Sequence, residues 1–364
     1  MKTKITQELL REVISRFPLE GAEKSCEVYG NGHINDTYRL ICDKKYVLQR
    51  INTEVFKDPA ALMRNIEGVT TFLREKIIRT GGDPARETLH LVRAEDGRTY
   101  TIDSEGGYWR IYDFIDGATC YEQVKKPEDF YQSGKAFGHF QRMLTDYPAA
   151  ELTETIPHFH DTPKRFRDFT AAVEADAYGR AKTAQPEIDF VMARKADMGI
   201  AADMLKNGEL PLHVTHNDTK LNNIMIDDRT GQAICIIDLD TIMPGLSIFD
   251  FGDSIRFGAN TAAEDEQDLS RVSLSLPLFE TYARGFLTGC DGSLKEQEIR
   301  MLPQGARLMT LECGMRFLTD YLSGDSYFHI SREGHNLDRC RTQFGLVADM
   351  EKKWAQMEQI IREI

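Results

Sequence analysis

Apolar residues recur at helical spacing in three stretches of this chain and at alternate positions in several shorter ones. Ile5, Leu9, Val13 and Phe17 are spaced by four and Pro18 ends the pattern, which predicts an N-terminal amphipathic helix. Leu62, Ile66, Val69 and Leu73 predict a second helix from about Pro59 to Lys76. Val347, Met350, Trp354, Met357, Ile361 and Ile364 alternate steps of three and four, and predict one long final helix packed by its stripe. Between the first two helices, Tyr38–Cys42 and Tyr46–Gln49 read as strands flanking a turn at Asp43–Lys45. Leu89–Val92 and Trp109–Tyr112 add two further strands, and beyond about Asp116 helical patterns dominate. The expected class is α+β: a β-rich N-terminal lobe with an antiparallel sheet, residues 1–115, and a larger, mostly helical C-terminal lobe, residues 116–364.

Composition narrows the partners. The chain has 364 residues, enough for two lobes with a sizeable core. With 45 Lys+Arg against 58 Asp+Glu, the net charge of -13 argues against nucleic-acid or anionic-membrane binding. An anionic ligand such as a nucleotide then needs a metal ion and a few placed cations. The seven cysteines show no C-x-x-C spacing, which argues against a zinc site or a disulfide framework. No apolar run has the length of a membrane span and no secretory leader is visible, so a cytoplasmic location is expected.

The segment that carries chemistry is His216-Asn-Asp-Thr-Lys-Leu-Asn-Asn223, followed after a strand, a turn at Asp228–Gly231 and a second strand by Ile236-Ile-Asp238. Phosphoryl transfer needs a carboxylate to orient the attacking hydroxyl and oxygen ligands to hold Mg²⁺ against the phosphates. Set beside the protein-kinase pattern H-R-D-L-K-x-x-N, Asp218 falls at the base and Lys220 within reach of the transferring group. Asn223 and Asp238 fall at the metal ligands.

This order of motifs resembles the aminoglycoside phosphotransferase and choline kinase family, small-molecule kinases with a protein-kinase-like two-lobed fold. Within it, Gly32-His-Ile-Asn35, His158-Phe-His-Asp-Thr-Pro163, Phe249–Gly258 and Glu312-Cys-Gly-Met-Arg-Phe-Leu318 are similar to the N-acetylhexosamine 1-kinases. The resemblance covers nearly the whole chain. It implies ATP- and Mg²⁺-dependent phosphorylation of the anomeric hydroxyl of N-acetylglucosamine or N-acetylgalactosamine. It also implies that His33, Asp218, Arg316 and Tyr327 bind the sugar. By their place before two strands and a helix, Gly30, Gly32 and Asn35 would form the phosphate loop, with an ordinary hairpin as the alternative, and the backbone at Phe114 and Ile115, at the lobe boundary, would meet adenine.

The strand lysine of the wider family is absent. Gln49 stands in its slot, Arg50 lies on the opposite face by alternation, and Glu67 is the expected helix partner of that slot. Arg316 has a competing structural use, pairing with Glu312 one turn earlier. Phe257, near the metal motif, has two readings, a wall of the acetamido pocket and, favoured by base rate, a core residue, and His158 and His160 lack further His or Cys nearby for a metal site. Another small-molecule acceptor, an aminoglycoside or choline, and a non-catalytic kinase-like binder remain as alternatives. The oligomeric state is open.

Overall fold

A computed structural model describes residues 5–30 and 34–364. Five strands, β1 (Ser25–Val28), β2 (Asp36–Ile41), β3 (Lys45–Arg50), β4 (Thr101–Ile102) and β5 (Tyr108–Asp113), form an antiparallel sheet in the order β1-β2-β3-β5-β4. Alternation along the strands sorts their side chains between two helices. Leu40, Leu48, Trp109 and Ile111 pack with Leu9 and Val13 of α1 (Gln7–Ile14), which Thr6 caps. Val47 and Tyr112 turn the other way, into the core built on Leu62, Ile66 and Val69 of α2 (Pro59–Arg79). The expected strand at Leu89–Val92 is reduced to one bridge, Leu91 to Tyr112. Its backbone otherwise supplies loop contacts to β5, including Val92 N to Ile111 O at 2.9 Å.

Strands β6 (Ala118–Thr119), β7 (His213–Thr215), β8 (Ile224–Asp227), β9 (Ala233–Ile236) and β10 (Met243–Gly245) are short. They make a β6-β8-β9 sheet and a β7–β10 pair. The rest is helical: α3 (Pro127–Met143), α4 (Thr162–Ala175), α5 (Gln185–Met192), α6 (Ile200–Lys206), α7 (Ser247–Gly258), α8 (Leu276–Cys290), α9 (Glu296–Arg300), α10 (Leu302–Leu322), α11 (His335–Lys352) and α12 (Trp354–Glu363).

Helix α7 carries the acids that anchor the candidate site, and it is pressed against α10. A Cβ on Gly252 would stand 2.3 Å from the Gly305 carbonyl oxygen, and one on Gly305 would stand 2.3 Å from that of Ile248. Only glycine permits that approach. The single final helix expected from the apolar stripe is broken at Lys353, between α11 and α12. The Lys353 ammonium is held by Asp349 Oδ2 one turn earlier at 2.7 Å and by two tertiary contacts that periodicity does not reveal, Ser273 Oγ at 2.7 Å and Leu274 O at 2.8 Å. Val347, Met350, Met357 and Ile361 are buried as the stripe requires, whereas Ile364 is exposed. Among the described residues no helix is long and apolar enough to cross a membrane.

Candidate active site

The loop after β7 is fixed from below by one buried carboxylate. Asp250, in the first turn of α7, accepts the backbone amides of His216 at 3.0 Å and Asn217 at 2.8 Å, and the Gln141 side-chain amide at 3.0 Å. Thr219 Oγ1 donates to the Asp250 carbonyl at 2.6 Å. Asn217 takes a left-handed φ of 64°, and its side-chain amide donates to Thr215 O at 3.2 Å and Thr241 O at 2.8 Å. Asparagine tolerates that conformation better than most residues. His216 packs edge-on against Phe137 and Phe140, with Nε2 2.9 Å from Ile237 O. Burial raises the Asp250 carboxyl above its usual range, although the donors oppose the shift. Asp250→Ala would leave two buried backbone amides and the Gln141 side-chain amide without this acceptor, each costing roughly 1–3 kcal/mol. A lower unfolding midpoint in urea, accompanied by loss of activity, is the expected result.

Held this way, the loop presents its polar groups to the cleft. Asp218 Oδ1 lies 2.7 Å from Lys220 Nζ. Asn223 Nδ2 donates to the Asp218 carbonyl at 2.8 Å and to its Oδ2 at 3.1 Å. Burial would depress the Lys220 ammonium, but Asp218 and Asp253 more than offset it and hold the group charged. Asp253 accepts the Thr219 amide at 3.1 Å and pairs with Arg256 at 2.8 Å. Burial would raise the Asp253 carboxyl, yet Arg256 and Lys220 keep it below the usual range.

Asp238 leaves β9 with a left-handed φ of 58°, which turns it out of the strand direction. It stands deep between the lobes but open to the cleft, and no described residue donates a hydrogen bond to its carboxylate. Desolvation there, together with Asp240 and Asp218, pushes its carboxyl up to about 6. Ile237 N bonds Asn223 O at 2.9 Å, which sets Asn223 and Asp238 side by side. Asn223 spends its amide nitrogen on Asp218, leaving its amide oxygen to accept.

These oxygens suit a hard cation. Among the described residues no group of three His, Cys, Asp or Glu side chains forms a ready cage. Mg²⁺ is commonly held by one or two protein oxygens plus substrate phosphates and water, so one free carboxylate and one amide oxygen fit that mode.

On the nucleotide side, Gly32 and His33 lie outside the described residues. Gly30 has φ 74°, a turn geometry that suits glycine. Asn35 does not stand free: its Nδ2 donates to Asp240 Oδ2 at 2.6 Å and its Oδ1 accepts Asn52 N at 3.0 Å. Gln49 faces the cleft side of the sheet, bonded to Thr37 Oγ1 at 3.1 Å and Arg110 Nε at 3.0 Å. Arg50, on the opposite face, approaches Asp103 and the Trp109 ring. Glu67 is not the partner of the Gln49 slot. It pairs with Arg93 and accepts from Thr99, because its position on α2 turns it toward the connection between α2 and β4 rather than into the cleft. At the link between the lobes the Phe114 amide is committed to Lys45 O at 3.1 Å. The buried Ile115 has no acceptor for its amide among the described residues.

The acceptor side is organised by α10. Glu312 does not pair with Arg316; its carboxylate is held by His160 Nδ1 at 2.8 Å and Thr162 Oγ1 at 2.5 Å. That leaves the Arg316 guanidinium with no carboxylate at ion-pair distance among the described residues. It lies 5.2 Å from the Phe159 ring, 5.6 Å from Phe328 and 5.9 Å from Tyr327. Asp320 accepts the amides of Ser326, Tyr327 and Phe328, which fixes the turn that presents Tyr327, 63% exposed. His160 is a structural partner of Glu312, and His158 pairs with Asp161 at 3.0 Å. Phe257 is 38% exposed, not a core residue.

Three residues that motif reading passed over belong to this region. Arg110 and Asp240 form a buried ion pair at 2.5 Å between the lobes. A charged residue inside the apolar run Tyr108–Tyr112 was the signal for the first. Arg165 bonds Phe159 O, and burial and Arg316 hold its guanidinium below its usual value. Nothing in its spacing marks it.

The profile of the phosphotransferase enzyme family (APH) matches residues 25–284, from the first strand through most of α8. The chain belongs to this family. Its fold recurs in an aminoglycoside phosphotransferase from Alicyclobacillus acidocaldarius, at 14% identity and TM-score 0.64, covering 100% of this chain and 98% of that one. A microcompartment-associated aminopropanol kinase aligns at 16% identity and TM-score 0.59, covering 95% and 96%. An ethanolamine kinase from Plasmodium vivax aligns at 15% identity and TM-score 0.55, covering 88% and 82%. The family match makes this chain a phosphotransferase of the small-molecule kinase type, and the two-lobed architecture is the one expected from its sequence pattern.

Proposed function

We propose that this phosphotransferase moves the γ-phosphoryl group of ATP to the anomeric hydroxyl of N-acetylglucosamine or N-acetylgalactosamine, giving the sugar 1-phosphate. In this reading residues 1–115 carry the nucleotide and residues 116–364 the catalytic loop and the sugar. The observation that carries it is Arg316: a planar fork of donors without a carboxylate partner, walled by Phe159, Tyr327 and Phe328. Paired sugar hydroxyls offer acceptors for such a fork, and aromatic faces suit the ring. A quaternary ammonium would be repelled there by Arg316 and Arg165. The strings shared with N-acetylhexosamine 1-kinases select the amino sugar and position 1.

The roles follow from the geometry. Asp218 accepts the hydroxyl hydrogen, orients the oxygen and takes the proton late, since the transition state is largely dissociative. Lys220, kept charged beside it, offsets charge on the transferring group. Asn223 and Asp238 would hold Mg²⁺, which supplies charge neutralisation at the phosphate oxygens when bound.

Phosphorus NMR of the product from ATP, Mg²⁺ and N-acetylglucosamine tests the assignment. A 1-phosphate is expected, a 6-deoxy analogue should still react, and 1-deoxy-N-acetylglucosamine should bind without turnover. A 6-phosphate, or turnover only with choline or an aminoglycoside, would reject it. Arg316→Lys keeps the charge but loses the fork, and should raise the sugar KM about 10- to 100-fold, the scale of one charged hydrogen bond.

A further inference from the structure

The family's strand cation is missing at Gln49, yet a cation occupies the adjacent position of the sheet. Gln49 and Arg110 are directly paired across β3 and β5, so both side chains emerge on the same face. That face is the one turned toward the cleft. Arg110 is 1% exposed, and its guanidinium packs over the Tyr112 ring at 5.2 Å. Its Nε donates to Gln49 Oε1 at 3.0 Å, and its Nη1 lies 2.5 Å from Asp240 Oδ1.

The polar groups around it close a ring through both lobes. Thr37 Oγ1 accepts from Gln49, Gln49 accepts from Arg110, and Arg110 pairs with Asp240. Asp240 Oδ2 then accepts from Asn35, two residues before Thr37 on the same segment that follows Gly30. Asp240 itself sits two residues beyond Asp238. The ring therefore joins the turn expected over the phosphates to the acid expected at the metal. A buried pair of this kind adds little net stability compared with apolar packing, because desolvation offsets the attraction. Its retention at this place needs a different reason.

We propose that Arg110 is the positioning residue that replaces the missing strand cation: through Asp240 it sets Asp238 and Asn35 for a metal-bound nucleotide. Gln49 is then the orienting group for Arg110, not a contact to phosphate. Arg110 is no catalytic residue, since it is enclosed and held by Gln49 and Asp240. The inference rests on the nucleotide reading of the cleft and is independent of which sugar is the acceptor.

The test is calorimetric titration of the whole protein with ADP, with Mg²⁺ and with EDTA, alongside steady-state kinetics in ATP. Arg110→Gln should weaken Mg²⁺-dependent ADP binding and raise the ATP KM by about 10- to 100-fold, the usual cost of losing a partner behind a metal ligand. Metal-free ADP binding should change much less. Returning the cation to the neighbouring strand, in Gln49→Lys/Arg110→Gln, should recover most of the loss. Where Arg110→Gln fails to fold, Arg110→Gln/Asp240→Asn leaves no buried charge unmatched and is read by the same criteria. Unchanged affinity in the folded variant overturns the proposal. So does an equal loss with and without metal, which marks a general structural defect, or a swap no tighter than the single variant. Failure of the unaltered protein to bind ADP at all would remove the nucleotide reading as well, which distinguishes the two failures.

Discussion

Asp218→Asn should fold normally, bind nucleotide almost as the unaltered protein does, and lose kcat by about 10²–10⁴-fold, the scale of a positioned base. Its carboxylate contacts are Lys220 at 2.7 Å and the Asn223 amide at 3.1 Å; an amide oxygen can still accept from both, and Asp253 remains as a charge partner for Lys220. An amide is nearly isosteric, so the loop anchored by Asp250 should keep its course. What disappears is a negative oxygen able to accept the acceptor's proton. An interaction made chiefly in the transition state lowers kcat and kcat/KM together. Steady-state kinetics in both substrates, with calorimetric titration of ADP, checks the pattern. Turnover close to that of the unaltered protein would remove Asp218 from its role.

Asp238→Asn should fail in a different way. Asp238 is the carboxylate with no donor of its own among the described residues, lifted to about 6 by desolvation and by Asp240 and Asp218. An acid kept in such company without a protein partner is suited to a cation. Replacing it with an amide relieves repulsion from Asp240 and Asp218, so the apo protein should be no less stable. Mg²⁺-dependent nucleotide affinity should fall together with turnover, by about 10-fold or more, and excess Mg²⁺ should restore part of both. Thermal melts, ADP titrations across Mg²⁺ concentrations and kcat measurements separate this from the Asp218 variant. Destabilisation of the apo protein with unchanged metal dependence would show Asp238 to be structural.

The candidate loop was legible because its residues are local. Asp218, Lys220 and Asn223 lie within six residues, and the turn at Asp228–Gly231 brings Asp238 back beside Asn223. A hairpin of that length leaves few alternatives, so spacing alone placed these groups together. The α2 helix and the β2–β3 hairpin were legible for the same reason, since period and turn chemistry are short-range signals. The final helix shows the limit: the apolar stripe continues through Lys353, but the backbone breaks there, at the residue whose ammonium Ser273 and Leu274 hold.

The N-lobe network shows what a single chain of letters leaves open. Glu67 was a reasonable partner for the Gln49 slot, because a helix acid following a strand is all the sequence displays. The charge that occupies the place comes from Arg110, sixty-one positions along, and its counterion from Asp240 in the other lobe. The pairing of Arg316 was likewise undecided, since an acid four residues earlier on a helix is an available partner. The fold settled it by giving Glu312 to His160 and Thr162, some 150 residues away. By itself the sequence determined the lobes' secondary-structure character, the catalytic loop and its likeness to a family of small-molecule kinases. Only the tertiary structure decided which charges pair, because a buried ion seeks the nearest compensating group in space, and distance along the chain carries no weight in that choice.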